Sequence, residues 1–237
     1  MKRFWEIDFS RGVAIVLMII FNYSFALKYL GVYTVDAGFA YWYAFPRIIA
    51  SMFILISGIS LTLMQSKKGF HKKMTMRGLK IFGLGMMITL LTFLTFPEAF
   101  IIFGILHLVG FSILFGQFFL KFRKLNIILG LLLIALGLYL QNFSFDFNWL
   151  LWLGFTPSNF TTFDYFPVLP WFGVSLIGIY LGNMLYRNGK RNFRIKDFSN
   201  NLAVKFISFI GRNSLTIYLL HQIVLIMVLL VLGFKVF

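Results

Sequence analysis

Three polar side chains interrupt the long apolar runs of this chain at matching positions. His107 lies in the run 100–120, and Asn22 and Arg47 lie in two earlier runs. Polar and titratable groups are costly in lipid, so they usually face a protein interior or a wet cavity. At a helical rise of about 1.5 Å per residue, all three lie about 9–12 Å from the same side of the membrane. We therefore predict a polar chamber in the outer third of a helix bundle.

Each of these residues also has a purely structural interpretation. His107 could be a core histidine with both nitrogens satisfied, and Asn22 could form an interhelical hydrogen bond of the kind that membrane helices use in packing. Arg47 is shallow enough to snorkel to the outer interface. Two carboxylates, Glu98 and Asp164, are predicted to roof the layer, although Glu98 could simply be exposed in its turn.

A second polar set is predicted at the opposite side. Asp8 and Arg11 stand at the start of the first run, and Arg212 stands at the start of the last. They could form a mouth that attracts an anionic cofactor, or they could serve only in surface ion pairs and helix capping. His221 is eight residues into the last run, near the midplane, and could lie between the two sets.

Composition indicates an all-α polytopic membrane protein forming a single domain over 1–237. Hydrophobic residues make up 60% of the chain and charged residues 12%, against about 25% charged in a soluble domain. Continuous apolar runs of about 20 residues match helices that span a bilayer. Seven spans are predicted, and they are Val13–Leu30, Tyr41–Met64, Gly78–Phe96, Phe100–Leu120, Leu125–Leu140, Phe166–Tyr186 and Asn213–Leu232.

The positive charge indicates membrane topology rather than nucleic-acid binding. The net charge is +15, and most Lys and Arg residues gather in alternate loops between the apolar runs. Because such loops are usually cytoplasmic, the N-terminus is predicted inside. The chain has no cysteine, three histidines and seven acidic residues, so we expect no disulfide and no metal site. The first run lacks a small-residue cleavage signal, and no signal peptide is expected.

Two connecting segments have distinct character. The outer segment 141–165 is long and aromatic, with Trp149 and Trp152, which is typical either of an interfacial aromatic belt or of a lid over a cavity. The segment Arg187–Asn201 is basic and is predicted to be a flexible cytoplasmic connector.

Several of these stretches together resemble one known family. The segments are Arg3–Gly12, Phe21–Tyr23, Phe103–His107, Asp164–Gly173 and Gly211–Gln222. In this order they resemble motifs of the heparan-α-glucosaminide N-acetyltransferase catalytic domain family, and in particular of its small prokaryotic members. The resemblance covers nearly the whole chain, and the last motif is the least specific because related membrane acyltransferases end similarly.

The resemblance implies acetyl transfer across a membrane, from cytoplasmic acetyl-CoA to an extracytoplasmic amino sugar or other glycan. In that scheme Arg11, Arg212 and Asp8 would hold the cofactor at the inner mouth. Asn22 corresponds to the family's catalytic asparagine and would stabilise the oxyanion. From its depth, we assign His107 as the base. The candidate acceptor-binding residues are Arg47, Asp164, Glu98, Trp171 and His221.

The chain departs from the family at one catalytic position. In the heparan enzymes the asparagine acts with a histidine about a dozen residues downstream. Here the segment 24–70 contains no histidine, and Tyr33 stands near that position. The family's histidine is therefore not carried over to this chain.

Two other functional classes fit the composition. A small transporter or flippase would use the same apolar helices, although no internal repeat is visible. A non-catalytic membrane protein would bury Asn22, Arg47 and His107 in ordinary helix contacts. In each case the lipid bilayer of the plasma membrane is the expected environment, no nucleic acid is expected as a partner, and a homodimer is compatible with the sequence.

Overall fold

The apolar runs form helices because a helix satisfies its own backbone hydrogen bonds, which lipid cannot do. The computed structural model describes residues 4–32, 38–66, 68–187 and 190–233. The helices are α1 (Trp5–Tyr29), a π-helix (Ala40–Ala44), α2 (Phe45–Met64), α3 (Phe70–Thr95), α4 (Ile105–Phe119), α5 (Leu125–Leu140), α6 (Val168–Leu185), α7 (Leu202–Arg212) and α8 (Ser214–Val231). Two short strands, β1 (Tyr186–Arg187) and β2 (Lys190–Arg191), pair antiparallel.

The predicted all-α membrane bundle is confirmed. Within the described residues, five helical segments are long and apolar enough to cross a membrane: α1, the π-helix with α2, α3, α6 and α8. The other two predicted spans correspond to α4 and α5, which are apolar but have only 15 and 16 residues.

Three predicted boundaries were wrong. α1 begins at Trp5 rather than Val13, and α3 begins at Phe70 rather than Gly78. α3 therefore extends into a basic segment that we had treated as a loop, and α1 extends over a segment of mixed charge that contains Glu6, Asp8 and Arg11. Glu, Lys and Arg are all good helix formers. α4 begins at Ile105, five residues later than predicted, because Gly104 has extended backbone angles. His107 consequently lies in the first turn of a helix and not seven residues inside one.

The segment before the last span is more ordered than predicted. The expected flexible connector Arg187–Asn201 starts in the β1–β2 pair. It ends at Asn201, whose side chain accepts hydrogen bonds from the backbone N–H groups of Ala203 and Val204. This capping starts α7, an 11-residue helix that was not predicted.

The chain divides into two compact units. Unit 1 comprises Met1–Phe53 and Ile195–Phe237, and unit 2 comprises Ile54–Arg194. The single-domain organisation and the cytoplasmic N-terminus stay predictions.

In unit 1, two glycines bring α1 and α7 into backbone contact. A Cβ atom on Gly211 would lie 1.8 Å from the carbonyl oxygen of Asp8, and one on Gly12 would lie 2.0 Å from that of Ile207. Small residues allow such approach in membrane helix packing. Ile15, Met18 and Ile49 form the adjoining apolar core.

Unit 2 uses the same device between other helices. Gly130 of α5 and Gly173 of α6 face each other, and a Cβ atom on either would lie less than 3 Å from the other's carbonyl oxygen. Gly58 of α2 likewise meets the backbone of Ser175, at 2.4 Å from the position of a Cβ. The close approach of these helices therefore depends on glycine at the contact positions.

The glycine contact between α1 and α7 predicts a specific loss of stability. Gly211→Ala should lower the free energy of unfolding by about 1–3 kcal/mol, because the added methyl group overlaps a backbone oxygen that cannot rotate away. Thermal unfolding of the purified chain in detergent measures this.

Gly83→Ala is the matched control. Gly83 is also a helical glycine, but nothing lies within 4 Å of an added Cβ. This variant should be neutral or more stable by about 0.5–1 kcal/mol, because alanine favours the helix. Equal melting temperatures for the two variants would contradict the packing argument.

Candidate active site

The two buried histidines of the chain lie in different units and in different environments. His107 is 1% exposed and belongs to unit 2, whereas His221 is 6% exposed and belongs to unit 1. Their hydrogen bonds fix opposite tautomers, and these tautomers decide what each ring can do.

Both ring nitrogens of His107 bond to neighbouring protein groups. Nδ1 accepts the backbone N–H of Gly104 at 3.2 Å, so the ring proton is on Nε2. Nε2 then donates to Oγ1 of Thr89 at 3.3 Å, and this hydroxyl donates to the carbonyl of Ile101 at 2.6 Å. In this arrangement His107 caps the start of α4 and ties it to α3.

The ring of His107 is also enclosed. Phe103 stacks on it at a centroid distance of 5.3 Å, and Phe82 contacts it edge-on at the same distance. Gly85 of α3 also packs against the ring, since a Cβ atom on Gly85 would lie 3.0 Å from Cε1 and Nδ1 of His107. These contacts match the structural interpretation of this histidine, and its catalytic role stays a prediction.

His221 has the other tautomer. Its Nδ1 lies 2.5 Å from the carbonyl oxygen of Tyr218, one turn earlier in α8, and must donate to it. Nε2 is therefore unprotonated, and it accepts a hydrogen bond from Nδ2 of Asn22 at 3.1 Å. The backbone thus orients the ring and leaves a basic nitrogen directed at a carboxamide.

The Asn22–His221 pair joins two residues that are 199 positions apart. The sequence marked each of them, Asn22 as catalytic and His221 as acceptor-binding, but gave no sign that they meet. Their contact depends on α1 and α8 running side by side in unit 1, where Tyr218 also packs against the core of Ile15 and Met18.

Two other predicted outer residues, Arg47 and Glu98, are exposed. Arg47 is exposed, donates to the carbonyl of Tyr43 at 2.9 Å and lies over its ring at 3.5 Å, which fits the snorkelling interpretation. Glu98 is exposed in the turn after α3. Because Asn22 and Arg47 belong to unit 1 and His107 to unit 2, the layer of all three stays a prediction. Tyr33 lies outside the described residues.

Asp164 has a structural task in unit 2. Its carboxyl oxygen accepts the backbone N–H of Ile105 at 3.0 Å, so the aromatic outer segment caps the start of α4. Neighbouring bonds continue this contact, from Phe163 N–H to the carbonyl of Ala99 and from Phe166 N–H to that of Phe103. Nearby, the ring of Trp171 packs against Phe166.

Desolvation raises the pKa of Asp164. Part of the residue stays exposed, but its carboxyl group lies against buried Gly104 and Ile105. Burial raises its pKa to about 6, and the hydrogen bond from Ile105 opposes this only in part.

The predicted inner residues lie together where α1 meets α7. Nη1 of Arg11 is 3.5 Å from the carboxylate of Asp8, and both side chains are only partly exposed. Gly211, which precedes the exposed Arg212, contacts the backbone of Asp8. All three predicted cofactor ligands therefore lie at or beside one helix junction.

The raised pKa of Asp164 predicts a pH dependence of stability. The folded chain binds this proton more tightly than the unfolded chain, so the group's contribution falls as pH rises from about 4 to about 6. The melting temperature of Asp164→Asn should therefore rise relative to that of the wild type as pH increases across this interval. The asparagine has no proton to lose, and its side-chain oxygen can still accept the N–H of Ile105.

Glu98→Gln removes an exposed carboxylate from the same outer end and serves as the control. Its melting temperature should follow that of the wild type over the same interval. Parallel curves for Asp164→Asn and the wild type would show that Asp164 is not desolvated.

Comparison with known proteins identifies the family. Residues 3–223 match the family model described as heparan-alpha-glucosaminide N-acetyltransferase, catalytic. No curated protein and no solved structure matches the chain. The family suggests an acetyltransferase-like function in a membrane, in agreement with the apolar helices. Because the match covers nearly the whole chain, this protein belongs to the heparan-alpha-glucosaminide N-acetyltransferase catalytic domain family.

Proposed function

We propose that this protein is a membrane acetyltransferase that moves an acetyl group from cytoplasmic acetyl-CoA to an amine or hydroxyl on an extracytoplasmic glycan, with the Asn22–His221 pair at the reaction centre. The observation that carries the proposal is the unprotonated Nε2 of His221, held 3.1 Å from the amide of Asn22 by a helix that also fixes the ring. The plasma membrane is the proposed location.

The proposed chemistry follows from these two side chains. The acceptor nitrogen or oxygen attacks the thioester carbonyl, and Nε2 of His221 takes the proton that the acceptor loses. The oxyanion that forms accepts a hydrogen bond from the second N–H of the Asn22 amide. When the intermediate collapses, the carbon–sulfur bond breaks, and the imidazolium returns the proton to the CoA thiolate.

The amide of Asn22 occupies the lone pair of Nε2 before the acceptor binds. The acceptor must replace this bond, so Asn22 keeps the base oriented until the acceptor arrives. In this proposal the pair provides the base and the oxyanion hydrogen bond that an asparagine and a nearby histidine provide in the heparan enzymes. Here the histidine comes from α8.

Donor binding is proposed at the junction of α1 and α7. Arg11 and Arg212 would bind phosphate groups of CoA, since guanidinium groups match phosphate geometry. Asp8 would hold the Arg11 side chain in place through their ion pair. Arg11 and Asn22 are 11 residues apart on α1, about 16 Å along the axis, and the pantetheine arm would extend over this distance.

Replacement of each buried histidine by glutamine tests the assignment of the base. His221→Gln should lower the rate of acetyl transfer from radiolabelled acetyl-CoA to glucosamine by about 10²–10⁴-fold, the usual effect of losing a general base. Asn22→Ala should also lower it, by about 10²–10³-fold, if the amide stabilises the oxyanion.

His107→Gln is the matched control, because a glutamine at the third position of α4 can still accept the N–H of Gly104. We expect it to keep most of the activity. Loss of activity in His107→Gln with an unchanged melting temperature, and full activity in His221→Gln, would instead assign the base to His107. Uptake of sugar into proteoliposomes without CoA, with no transfer by any variant, would indicate a transporter.

A further inference from the structure

The outward face of α7 combines an apolar stripe with positively charged side chains. Leu202, Phe206 and Phe209 are spaced four and three residues apart and are 82%, 63% and 56% exposed. At this spacing their side chains lie along one stripe of the helix. Lys205 and Arg212, seven residues apart, lie along one edge of that stripe. We call these five residues the α7 surface.

The opposite face of α7 packs against α1. Gly211 and Ile207 contact the backbone of α1, and the hydroxyl of Ser208 donates to the carbonyl of Trp5. Asn201 caps the first turn. α7 is therefore a fixed element of unit 1, and its exposed stripe does not arise from a loosely held helix.

The position of α7 in the chain places this surface at a membrane boundary. Only Asn213 separates α7 from α8, which is long and apolar enough to cross a membrane. α7 itself has 11 residues and is too short to cross. The excess of Lys and Arg in the connecting segments assigns this boundary to the cytoplasmic side.

The positive charge of the α7 surface favours an anionic partner. Neither Lys205 nor Arg212 forms an ion pair with another residue in the part of the chain that the structure describes. The segment 195–213 has one carboxylate, Asp197, against three basic residues, and Asp197 accepts the N–H of Ser199. Aromatic and aliphatic side chains beside Lys and Arg are the pattern of helices that bind an anionic lipid interface.

We propose that the α7 surface binds anionic phospholipid of the cytoplasmic leaflet, with Leu202, Phe206 and Phe209 at the acyl-chain boundary and Lys205 at the lipid phosphate. Arg212, the last residue of α7, is the one residue that this surface shares with the proposed donor site. Because Gly211 contacts the backbone of Asp8, lipid bound there also holds the start of α1. This inference does not depend on the proposed acetyl transfer.

The absence of cysteine from the chain makes a site-specific test direct. Phe206→Cys in the full-length chain is labelled with bimane and reconstituted in nanodiscs that contain brominated phosphatidylglycerol or brominated phosphatidylcholine. Asn200→Cys, labelled in the same way, is the control, because it lies before the helix and outside the stripe. Leu202→Cys is a second label site if Phe206→Cys folds poorly.

The label at 206 should be quenched and the label at 200 should not. Brominated phosphatidylglycerol should quench the bimane fluorescence at position 206 more strongly than brominated phosphatidylcholine does at the same mole fraction in the nanodisc. Lys205→Gln should lower this preference about fivefold, as expected for one basic residue near an anionic surface. Lys28→Gln, at the far end of α1, should leave the preference unchanged.

Three results would overturn the proposal. These are equal quenching at positions 206 and 200, equal quenching at 206 by the two lipids, and a preference that Lys205→Gln leaves intact. Added acetyl-CoA provides a further arm, since relief of quenching at 206 would make the surface a cofactor site and not a lipid site.

Discussion

The backbone contact between α1 and α7 determines the geometry of unit 1. Gly12 and Gly211 remove the side chains that would separate the two helices, and α8 follows α7 after Asn213 alone. This contact therefore fixes where α8 begins relative to α1. His221 lies about two turns into α8 and reaches Asn22 of α1. The same junction holds Asp8, Arg11 and Gly211 together. One packing constraint thus positions both the proposed donor site and the proposed base.

The two buried histidines show how local hydrogen bonding separates similar side chains. Both rings lie in apolar helices, and depth alone favoured His107. In the structure His107 caps the start of α4, and its two ring nitrogens form hydrogen bonds with Gly104 and Thr89. His221 has one nitrogen bonded to its own helix and the other to a carboxamide. The environment of each nitrogen, rather than burial, distinguishes a structural histidine from a candidate base.

Hydropathy and charge were sufficient to predict the helical membrane bundle, because helix length follows from bilayer thickness. They could not predict helix starts such as Trp5 and Ile105. Charged residues of both signs continue α1 beyond its apolar run, and α4 starts after Gly104, where the carboxyl group of Asp164, distant in the sequence, accepts the N–H of Ile105. α7 was missed because it is too short for a span. The motifs predicted Asn22 as a candidate site residue, but its contact with His221 depends on helix packing, which a single sequence does not report.

The ring nitrogens of His221 provide the most direct test of the proposed base. In ¹⁵N NMR of histidine-labelled protein in lipid, assigned with His221→Gln and His107→Gln, the account predicts a protonated Nδ1 and an unprotonated Nε2 for His221, with the opposite tautomer for His107. Added glucosamine should shift the Nε2 signal of His221 and leave that of His107 in place. A proton on Nε2 of His221, or a signal that glucosamine does not move, would contradict the assignment.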